Sequence, residues 1–249
     1  MAGQLLTADG YVDAPERVLV VVAHPDDIDF GTAGTVASLT DAGSHVAYCL
    51  VTSGEAGDDD MSVSSAELAE LREAEQTAAA AEVGVANVHW LHHPDGRVIA
   101  DLELRRDISR VIRIERPNVV ISQSPERNWD RFYGSHPDHL AAAEATVAAV
   151  YPDSRNPRAH PELLDEGHKP HTVERIWVLG SESNLTIDIT DVFDRKVAAL
   201  RAHVSQTEWM GDRLPKLLTE WAAERGERGG LPEGRLGESF RIVNTGNRP

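Results

Sequence analysis

Residues 17–23 (RVLVVVA) place the strongest constraint on how this chain can fold. After its first residue the run is wholly apolar and rich in β-branched valine, without the polar alternation of a strand that has one wet face. Such a run is typical of a strand buried on both faces, as in a parallel sheet covered by helices. The chain must therefore supply helices to both sides of a sheet.

Strand-like and helix-like segments alternate through the first half of the sequence. Further strands are predicted at residues 45–52 (HVAYCLVT), 88–91 (VHWL) and Val119–Ser122, and helices at 31–42, 64–82 and near Leu102–Glu115. Connections of this kind form right-handed crossovers between parallel strands. We therefore predict an α/β fold, a Rossmann-like three-layer sandwich with a mainly parallel sheet. In such folds a ligand or metal site lies at the carboxyl ends of the strands.

The length of 249 residues is near the upper end of what one compact core covers, so we expect a single domain over residues 1–249. The second half is less regular, with strands predicted at 173–179 and 185–189 and a helix at 192–203. From about residue 226 the composition is dominated by glycine and charged residues (GERGGLPEGRLGESF), which predicts a mobile tail.

Two similar tetrapeptides occur at predicted strand–helix junctions. HPDD, residues 24–27, directly follows the first buried strand, and HPDH, residues 136–139, opens a helix predicted to run to about residue 150. A single HPD triplet is most often a polar turn. Two copies on the ligand side of one sheet indicate a functional site.

Three of these side chains suit a divalent cation. A catalytic zinc takes three protein ligands and keeps one position open. His24 and Asp27 can reach one ion if the turn is tight, which Pro25 favours by fixing its φ. His139 follows Pro137 in the first helical turn, where the positive helix end keeps an imidazole neutral and able to bind metal. We predict a Zn²⁺ site, although affinity order alone leaves iron, manganese and cobalt open.

Asp26, His136 and Asp138 then remain for chemistry. Asp26, beside a ligand, could accept a proton from water. His136 could stabilise the oxyanion of a tetrahedral intermediate or protonate the leaving amine. Asp138 could hydrogen-bond an imidazole and fix its tautomer. Together these roles describe hydrolysis of a linear amide.

Composition limits the partners of the chain. Its 24 basic and 41 acidic side chains give a formal net charge of −17, which argues against binding to nucleic acid or to an anionic membrane surface. No stretch reaches the ~18 apolar residues of a membrane span, and no secretory signal is visible.

Cys49 is the only cysteine, so no disulfide can form within the chain. We expect a cytoplasmic protein, a monomer or homo-oligomer, that acts on a small polar N-acylated substrate.

The other histidines are interpreted as structural. Loop or surface positions are expected for His92, His93, His160, His168 and His171, and packing positions for His45, His89 and His203. Two polar segments, residues 124–131 and 151–171, flank the second motif, and their roles stay open.

Both motifs resemble those of the LmbE-like (PIG-L superfamily) zinc-dependent N-deacetylases, which carry AHPDDE after a strand and later an HPDH-type motif. The resemblance runs from about residue 17 to about 150, with weaker similarity to about 203. It implies that the zinc ligands are His24, Asp27 and His139. It also implies that Asp26 is the general base and that His136 stabilises the oxyanion and helps the amine leave.

The resemblance also implies substrate contacts. In sugar-specific relatives an arginine and a glutamate three residues later reach toward the site, and Arg72 and Glu75 have this spacing. In the same relatives an aspartate binds sugar hydroxyls, and Asp95 occupies a similar place. The alternatives are an exposed helix ion pair for the first two and an Asp-Gly turn for the third. Ile28 stands where the family has glutamate, so any hydrogen bond of that glutamate is lost or made by Asp29.

The predicted function is removal of an acetyl or other acyl group from the amide nitrogen of an N-acetyl amino-sugar-like molecule. One alternative is an amidase for a larger amide, such as a thiol conjugate of an amino-sugar. The alternative from another class is a non-catalytic α/β protein that binds a metal or ligand. A dinucleotide binder would need a Gly-rich loop after the first strand, and the sequence has none there.

Overall fold

The computed structural model describes residues 2–129, 132–180 and 182–246. Its strands are β1 (Gln4–Thr7), β2 (Gly10–Asp13), β3 (Arg17–Val22), β4 (His45–Leu50), β5 (Asn87–Trp90), β6 (Val119–Ser122), β7 (Arg175–Val178), β8 (Leu185–Asp188) and β9 (Gly237–Asn244). Its helices are α1 (Asp27–Asp41), α2 (Ser65–Glu82), α3 (Leu102–Glu115), α4 (Pro137–Ala148), α5 (Glu162–Asp165), α6 (Phe193–Ala202), α7 (Val204–Thr207) and α8 (Arg213–Arg228). No helix in these ranges is both long and apolar enough to cross a bilayer.

Within the described ranges the strands form one nine-stranded sheet in the order β2-β1-β8-β9-β7-β6-β3-β4-β5. The neighbours from β7 to β5 pair in parallel, whereas all pairings from β2 to β7 are antiparallel. The prediction of a mainly parallel sheet is therefore corrected to a mixed sheet. The two-residue turn between β1 and β2 permits only antiparallel pairing, and β9 runs back against β7 and β8.

The side chains of β3 alternate between two cores. Val18, Val20 and Val22 pack in the core that includes residues of α1 and α2, and Leu19 and Val21 pack in the core that includes residues of α3 and α4. All five are at most 1% exposed. The expected strand with two buried faces is confirmed, and helices on both sides give the α/β fold its three layers.

The segment beyond residue 226, where the sequence predicts a mobile tail, contains the end of α8 and the strand β9. A Cβ on Gly226 would lie 2.7 Å from the carbonyl oxygen of Arg235, so glycine lets α8 and the approach to β9 come close together. Phe240 of β9 is fully buried and packs against Trp177 with 5.5 Å between ring centroids. The glycine-rich composition serves close packing here.

Glu115, at the end of α3, binds groups from three strands at the edge opposite the predicted site. Its carboxylate accepts hydrogen bonds from Nε2 of His45 and Nε2 of His89, each at 2.8 Å, and from Nη2 of Arg17 at 3.1 Å. Burial alone would raise the pKa of Glu115, but the hydrogen bonds from His89 and His45 outweigh burial and hold this pKa below its usual value. Two of the three histidines expected at packing positions, His45 and His89, thus bind a buried carboxylate.

Replacing Glu115 with glutamine is expected to lower the free energy of unfolding by about 1–3 kcal/mol at neutral pH, because charged hydrogen bonds are lost. Since the pKa is lower in the folded state, the ionised carboxylate stabilises the fold above its unfolded pKa of about 4.3, and this stability is lost as the pH falls through the folded pKa. The difference between the two proteins should therefore shrink below about pH 4. Urea unfolding at several pH values measures it, with the exposed Glu233→Gln as control. A pH-independent difference contradicts the assignment.

Candidate active site

The HPDD motif forms a tight turn at the carboxyl end of β3. The backbone N–H of His24 donates to Oδ2 of Asp27 at 2.8 Å. Asp26, the N-cap of α1, has φ 81° and ψ −26°, in the left-handed region. This conformation costs a residue with a side chain about 1–2 kcal/mol. The surrounding structure must therefore hold Asp26 in place.

The HPDH motif begins α4. Pro137 is the first helical residue, and His136 is the N-cap, accepting a hydrogen bond from the backbone N–H of Asp138 at Nδ1, 3.2 Å away. The prediction that this motif opens a helix is confirmed. Because Nδ1 accepts, the proton of the neutral His136 ring lies on Nε2.

Donor atoms of three side chains from the two motifs converge. Nδ1 of His24 lies 3.1 Å from Nε2 of His139 and 3.4 Å from Oδ2 of Asp27. Nε2 of His139 lies 3.1 Å from Oδ1 of Asp27. Ligands bound about 2.0–2.1 Å from a tetrahedral zinc are about 3.3 Å apart. The three side chains therefore have the spacing that one shared cation requires.

Two other groups of possible ligands share His24. They combine it with His136 and His139, or with Asp95 and Asp138, and the ligand atoms within each group lie within 4.8 Å of one another. His136 is exposed, and its ring centroid is 5.1 Å from that of His24 and 5.5 Å from that of His139. His136 therefore lies beside the converging donor atoms.

The other nitrogen of His24 faces two carboxylates. Its Nε2 lies 3.1 Å from Oδ1 of Asp95 and 3.3 Å from Oδ2 of Asp138. Asp138 also accepts hydrogen bonds from the backbone N–H groups of Gly96 and Val98, at 2.7 and 3.2 Å. A protonated Nε2 can donate to these carboxylates while Nδ1 keeps its lone pair for a cation. Asp138 thus contacts an imidazole whose tautomer it could fix.

Carboxylates dominate the electrostatics of the site. Burial alone would lower the pKa of His24, but hydrogen bonds with Asp138, Asp27 and Asp95 raise it to about 12. Burial alone would raise the pKa of Asp27, but His139 and His24 hold it well below its usual range. This surplus of negative charge strongly favours a positive charge between the motifs, which a divalent cation supplies.

Asp26 has a partly buried side chain that is 17% exposed. Its Oδ2 accepts a hydrogen bond from Nη2 of Arg72 at 3.1 Å. Burial, and then repulsion from Asp27, raise the pKa of Asp26 to about 6, against the lowering effect of Arg72 and two histidines. At neutral pH this carboxyl group is ionised and more basic than an ordinary aspartate, as a general base requires.

Arg72 and Glu75, predicted to reach the substrate, are both buried on α2. Arg72 donates to the carbonyl oxygens of Gly54 and Pro25, at 2.8 and 3.0 Å. Glu75 accepts hydrogen bonds from the backbone N–H and the hydroxyl group of Ser205, at 2.7 and 2.6 Å. The structure therefore brings Arg72 to the HPDD turn but places Glu75 against α7.

Asp95 lies beside the motifs in the loop after β5. Its Oδ2 accepts a hydrogen bond from the backbone N–H of Ala56 at 3.0 Å, and its own N–H donates to Oε1 of Glu55 at 2.9 Å. Because Oδ1 faces His24, both carboxylate oxygens have protein partners. A substrate hydroxyl could therefore bind Asp95 only through an oxygen that already has a protein partner.

The family described as PIG-L: GlcNAc-PI de-N-acetylase matches residues 19–150, which are 132 of the 249 residues and include both motifs. The chain belongs to the PIG-L family.

Known relatives of this PIG-L protein include deacetylases of N-acetylated sugars. It is 36% identical over 192 residues to the diacetylchitobiose deacetylase of Thermococcus kodakarensis, covering 77% of this chain and 70% of that protein. It is 32% identical over 208 residues to the probable N-acetyl-alpha-D-glucosaminyl L-malate deacetylase 2 of Bacillus subtilis, covering 82% and 89%. The structure of N,N'-diacetylchitobiose deacetylase from Pyrococcus horikoshii superposes with a TM-score of 0.83 at 33% identity, covering 92% of this chain and 84% of that chain.

The sequence reasoning missed two fully buried residues behind the HPDD turn of this PIG-L protein. Oε1 of Gln76 accepts a hydrogen bond from the backbone N–H of Asp26 at 2.9 Å, and Nε2 of Gln76 donates to Oδ2 of Asp29 at 2.8 Å. Nε2 of His203 lies 2.8 Å from the same oxygen. Gln76 is one helical turn beyond Arg72, a spacing visible in the sequence. His203 carries no such signal.

A second polar cluster of the PIG-L protein also lacked a sequence signal. The hydroxyl group of Ser53 donates to Oε1 of Glu73 at 2.5 Å and lies 3.2 Å from Nδ1 of His92. Ser53 follows β4, and His92 follows β5 with a left-handed φ of 54°. This cluster therefore lies at the same sheet edge as the two motifs.

Proposed function

We propose that this PIG-L protein is a zinc-dependent N-deacetylase that hydrolyses the acetamido group of an N-acetyl amino-sugar-like small molecule. The observation that carries the proposal is the convergence of the His24, Asp27 and His139 donor atoms at 3.1–3.4 Å. The names of its relatives, which act on diacetylchitobiose and an N-acetyl-glucosaminyl malate, support the substrate class.

His24, Asp27 and His139 would hold the metal. Two imidazoles and one carboxylate suit zinc and similar divalent cations, and three protein ligands leave one tetrahedral position open. A bound cation supplies Lewis acidity, which makes water more acidic and polarises an amide carbonyl. The donor set and its spacing fit this group.

Asp26 acts as the general base in this proposal. Its carboxylate accepts the proton of the attacking water molecule, and its raised pKa of about 6 leaves it both ionised and basic at neutral pH. The hydrogen bond from Arg72 restricts rotation of the carboxylate. The base therefore needs little reorganisation before it accepts the proton.

His136 acts on the carbonyl oxygen of the substrate. Because its Nδ1 accepts from the backbone N–H of Asp138, its Nε2–H is available to donate to that oxygen as negative charge develops. A protonated side chain of the site then returns the proton to the leaving nitrogen. Asp138, through its contact with His24, keeps the tautomer of that imidazole fixed.

Purified protein loaded with zinc is expected to release free amine and acetate in equal amounts from N-acetylglucosamine or N,N'-diacetylchitobiose. Amine labelling and enzymatic acetate measurement test this, and protein without added metal is the control. Turnover of bulky thiol-conjugate amides alone would identify the larger-amide amidase instead. Stoichiometric ligand binding without any product would favour the non-catalytic α/β binding protein, and either result contradicts the deacetylase.

A further inference from the structure

Two residues of one helix contact Asp26, whose backbone has the left-handed conformation. Arg72 donates to the Asp26 carboxylate, and Gln76 accepts a hydrogen bond from the Asp26 backbone N–H. Residues four apart on an α-helix lie on the same face, so α2 presents both side chains to the HPDD turn. One supports the side chain of Asp26 and the other supports its backbone.

The orientation of the Gln76 amide follows from its buried partners. A backbone N–H can only donate a hydrogen bond, so the N–H of Asp26 must face the carbonyl end of Gln76. The NH₂ end of Gln76 is then directed to Oδ2 of Asp29, 2.8 Å away. His203 completes the series, since its Nε2–H can donate to the same Oδ2 at 2.8 Å.

These supporting residues are closed off from solvent. Gln76, Asp29 and His203 are all 0% exposed. Oδ1 of Asp29 and Nδ1 of His203 have no hydrogen-bond partner among the described residues. Burying a series of polar groups of this kind costs free energy, because each group loses its hydrogen bonds to water. An apolar residue at position 76 could fill the same space without that cost.

We propose that Gln76 is a positioning residue that holds Asp26 in the backbone conformation needed for its role as the base, and that Asp29 and His203 orient the Gln76 amide. The inference deepens the proposed function and rests on it for the role of Asp26. Gln76 need not touch the substrate, because it acts through the Asp26 backbone. Asp29 thereby acts on the HPDD turn through Gln76.

Replacing Gln76 with methionine keeps the side-chain length and removes both hydrogen bonds. We expect kcat to fall by about 100-fold, because a small misplacement of a reacting group has an effect of this size, while KM changes by less than about threefold. Zinc content should stay near one per chain, because the metal ligands are unchanged. Gln4→Met, the same change at an exposed position of the distant strand β1, should behave as wild type. A merely structural Gln76 would lower the melting temperature without this split between kcat and KM.

A reciprocal exchange tests the orientation by Asp29. Gln76→Glu alone places two carboxylates together and should lose activity. Asp29→Asn alone should keep a kcat near wild type, because its amide oxygen can still accept from Nε2 of Gln76 and Nε2 of His203. In the double variant the NH₂ group of residue 29 can donate to the carboxylate at 76 and to Nε2 of His203, whose Nδ1 is free to carry the proton. We expect the double variant to recover to within about tenfold of wild-type kcat. If the double variant does not recover activity, the proposal is overturned. This test remains available if Gln76→Met fails to fold.

A crystal structure of Gln76→Met separates this inference from the proposed function. If wild-type protein releases no amine from any substrate, the proposed function fails, and the backbone of Asp26 still decides the positioning role. Departure of Asp26 from φ near 81° supports it. Retention of that conformation, or an unchanged kcat in an active enzyme, overturns it.

Discussion

The Asp26→Asn variant is expected to bind about one zinc per chain and to have a kcat about 10³-fold below that of wild type, within the range for loss of a general base. Asparagine has the same size, and its Oδ1 can still accept the hydrogen bond that Arg72 donates at 3.1 Å. It cannot accept a proton from water at neutral pH. The change therefore removes the chemistry of Asp26 and leaves its contacts.

Steady-state amine release and metal analysis on the same preparation measure this effect. Asp9→Asn, an exposed residue in the turn between β1 and β2, is the matched control and should retain wild-type kcat. Full activity of Asp26→Asn with metal bound would refute the assignment of the base. Loss of zinc in this variant would show that Asp26 also takes part in metal binding.

The His139→Ala variant is expected to lose both zinc and activity. His139 supplies one of the three donor atoms, and its Nε2 lies 3.1 Å from donor atoms of both His24 and Asp27. Removing a direct ligand should weaken zinc binding by more than about 100-fold, since loss of an outer partner alone costs 10- to 100-fold. The remaining imidazole and carboxylate cannot complete a catalytic site with three protein ligands.

Equilibrium dialysis against zinc measures this affinity without any substrate. Wild-type protein treated with a chelator should lose activity and regain it when zinc is restored, whereas His139→Ala should not regain it. His168→Ala, a histidine of the long 151–171 segment, should bind zinc as wild type does. If His139→Ala keeps wild-type affinity, the metal lies elsewhere, and the group of His24, Asp95 and Asp138 becomes the alternative site.

Features encoded within one element could be predicted from the sequence. The buried strand β3 is visible in its unbroken apolar run, and the start of α4 is visible in Pro137 and the His136 cap, because backbone geometry and capping depend on neighbouring residues. The position of both motifs at one sheet edge followed from the order of strands and helices. The family match then agreed with the resemblance of the motifs.

Contacts between distant parts of the chain could not be predicted. His203 and Asp29 are 174 residues apart, and Ser205 and Glu75 are 130 apart. No local pattern encodes such pairs, since they exist only once α6 and α7 pack against α1 and α2. The mixed sheet has the same origin, because the place of β9 depends on partners on both sides.

The placement of Glu75 has a reason in helix geometry. With 3.6 residues per turn, Gln76 is about 40° around α2 from Arg72, whereas Glu75 is about 60° away on the other side. The closer residue shares the HPDD-facing surface with Arg72, and Glu75 is turned toward Ser205. A spacing of three residues alone could not distinguish these surroundings.

Strand β9 determines the order in which the parts of the sheet can assemble during synthesis. Residues 237–240 pair with β8 and residues 241–244 pair with β7, so the described sheet consists of two groups of strands joined through β9. Both groups leave the ribosome before β9 does. The group of strands with both HPD motifs can pack against its helices early. The hairpin of β1 and β2 pairs only with β8 and can join the rest of the sheet only after β9 has emerged from the ribosome.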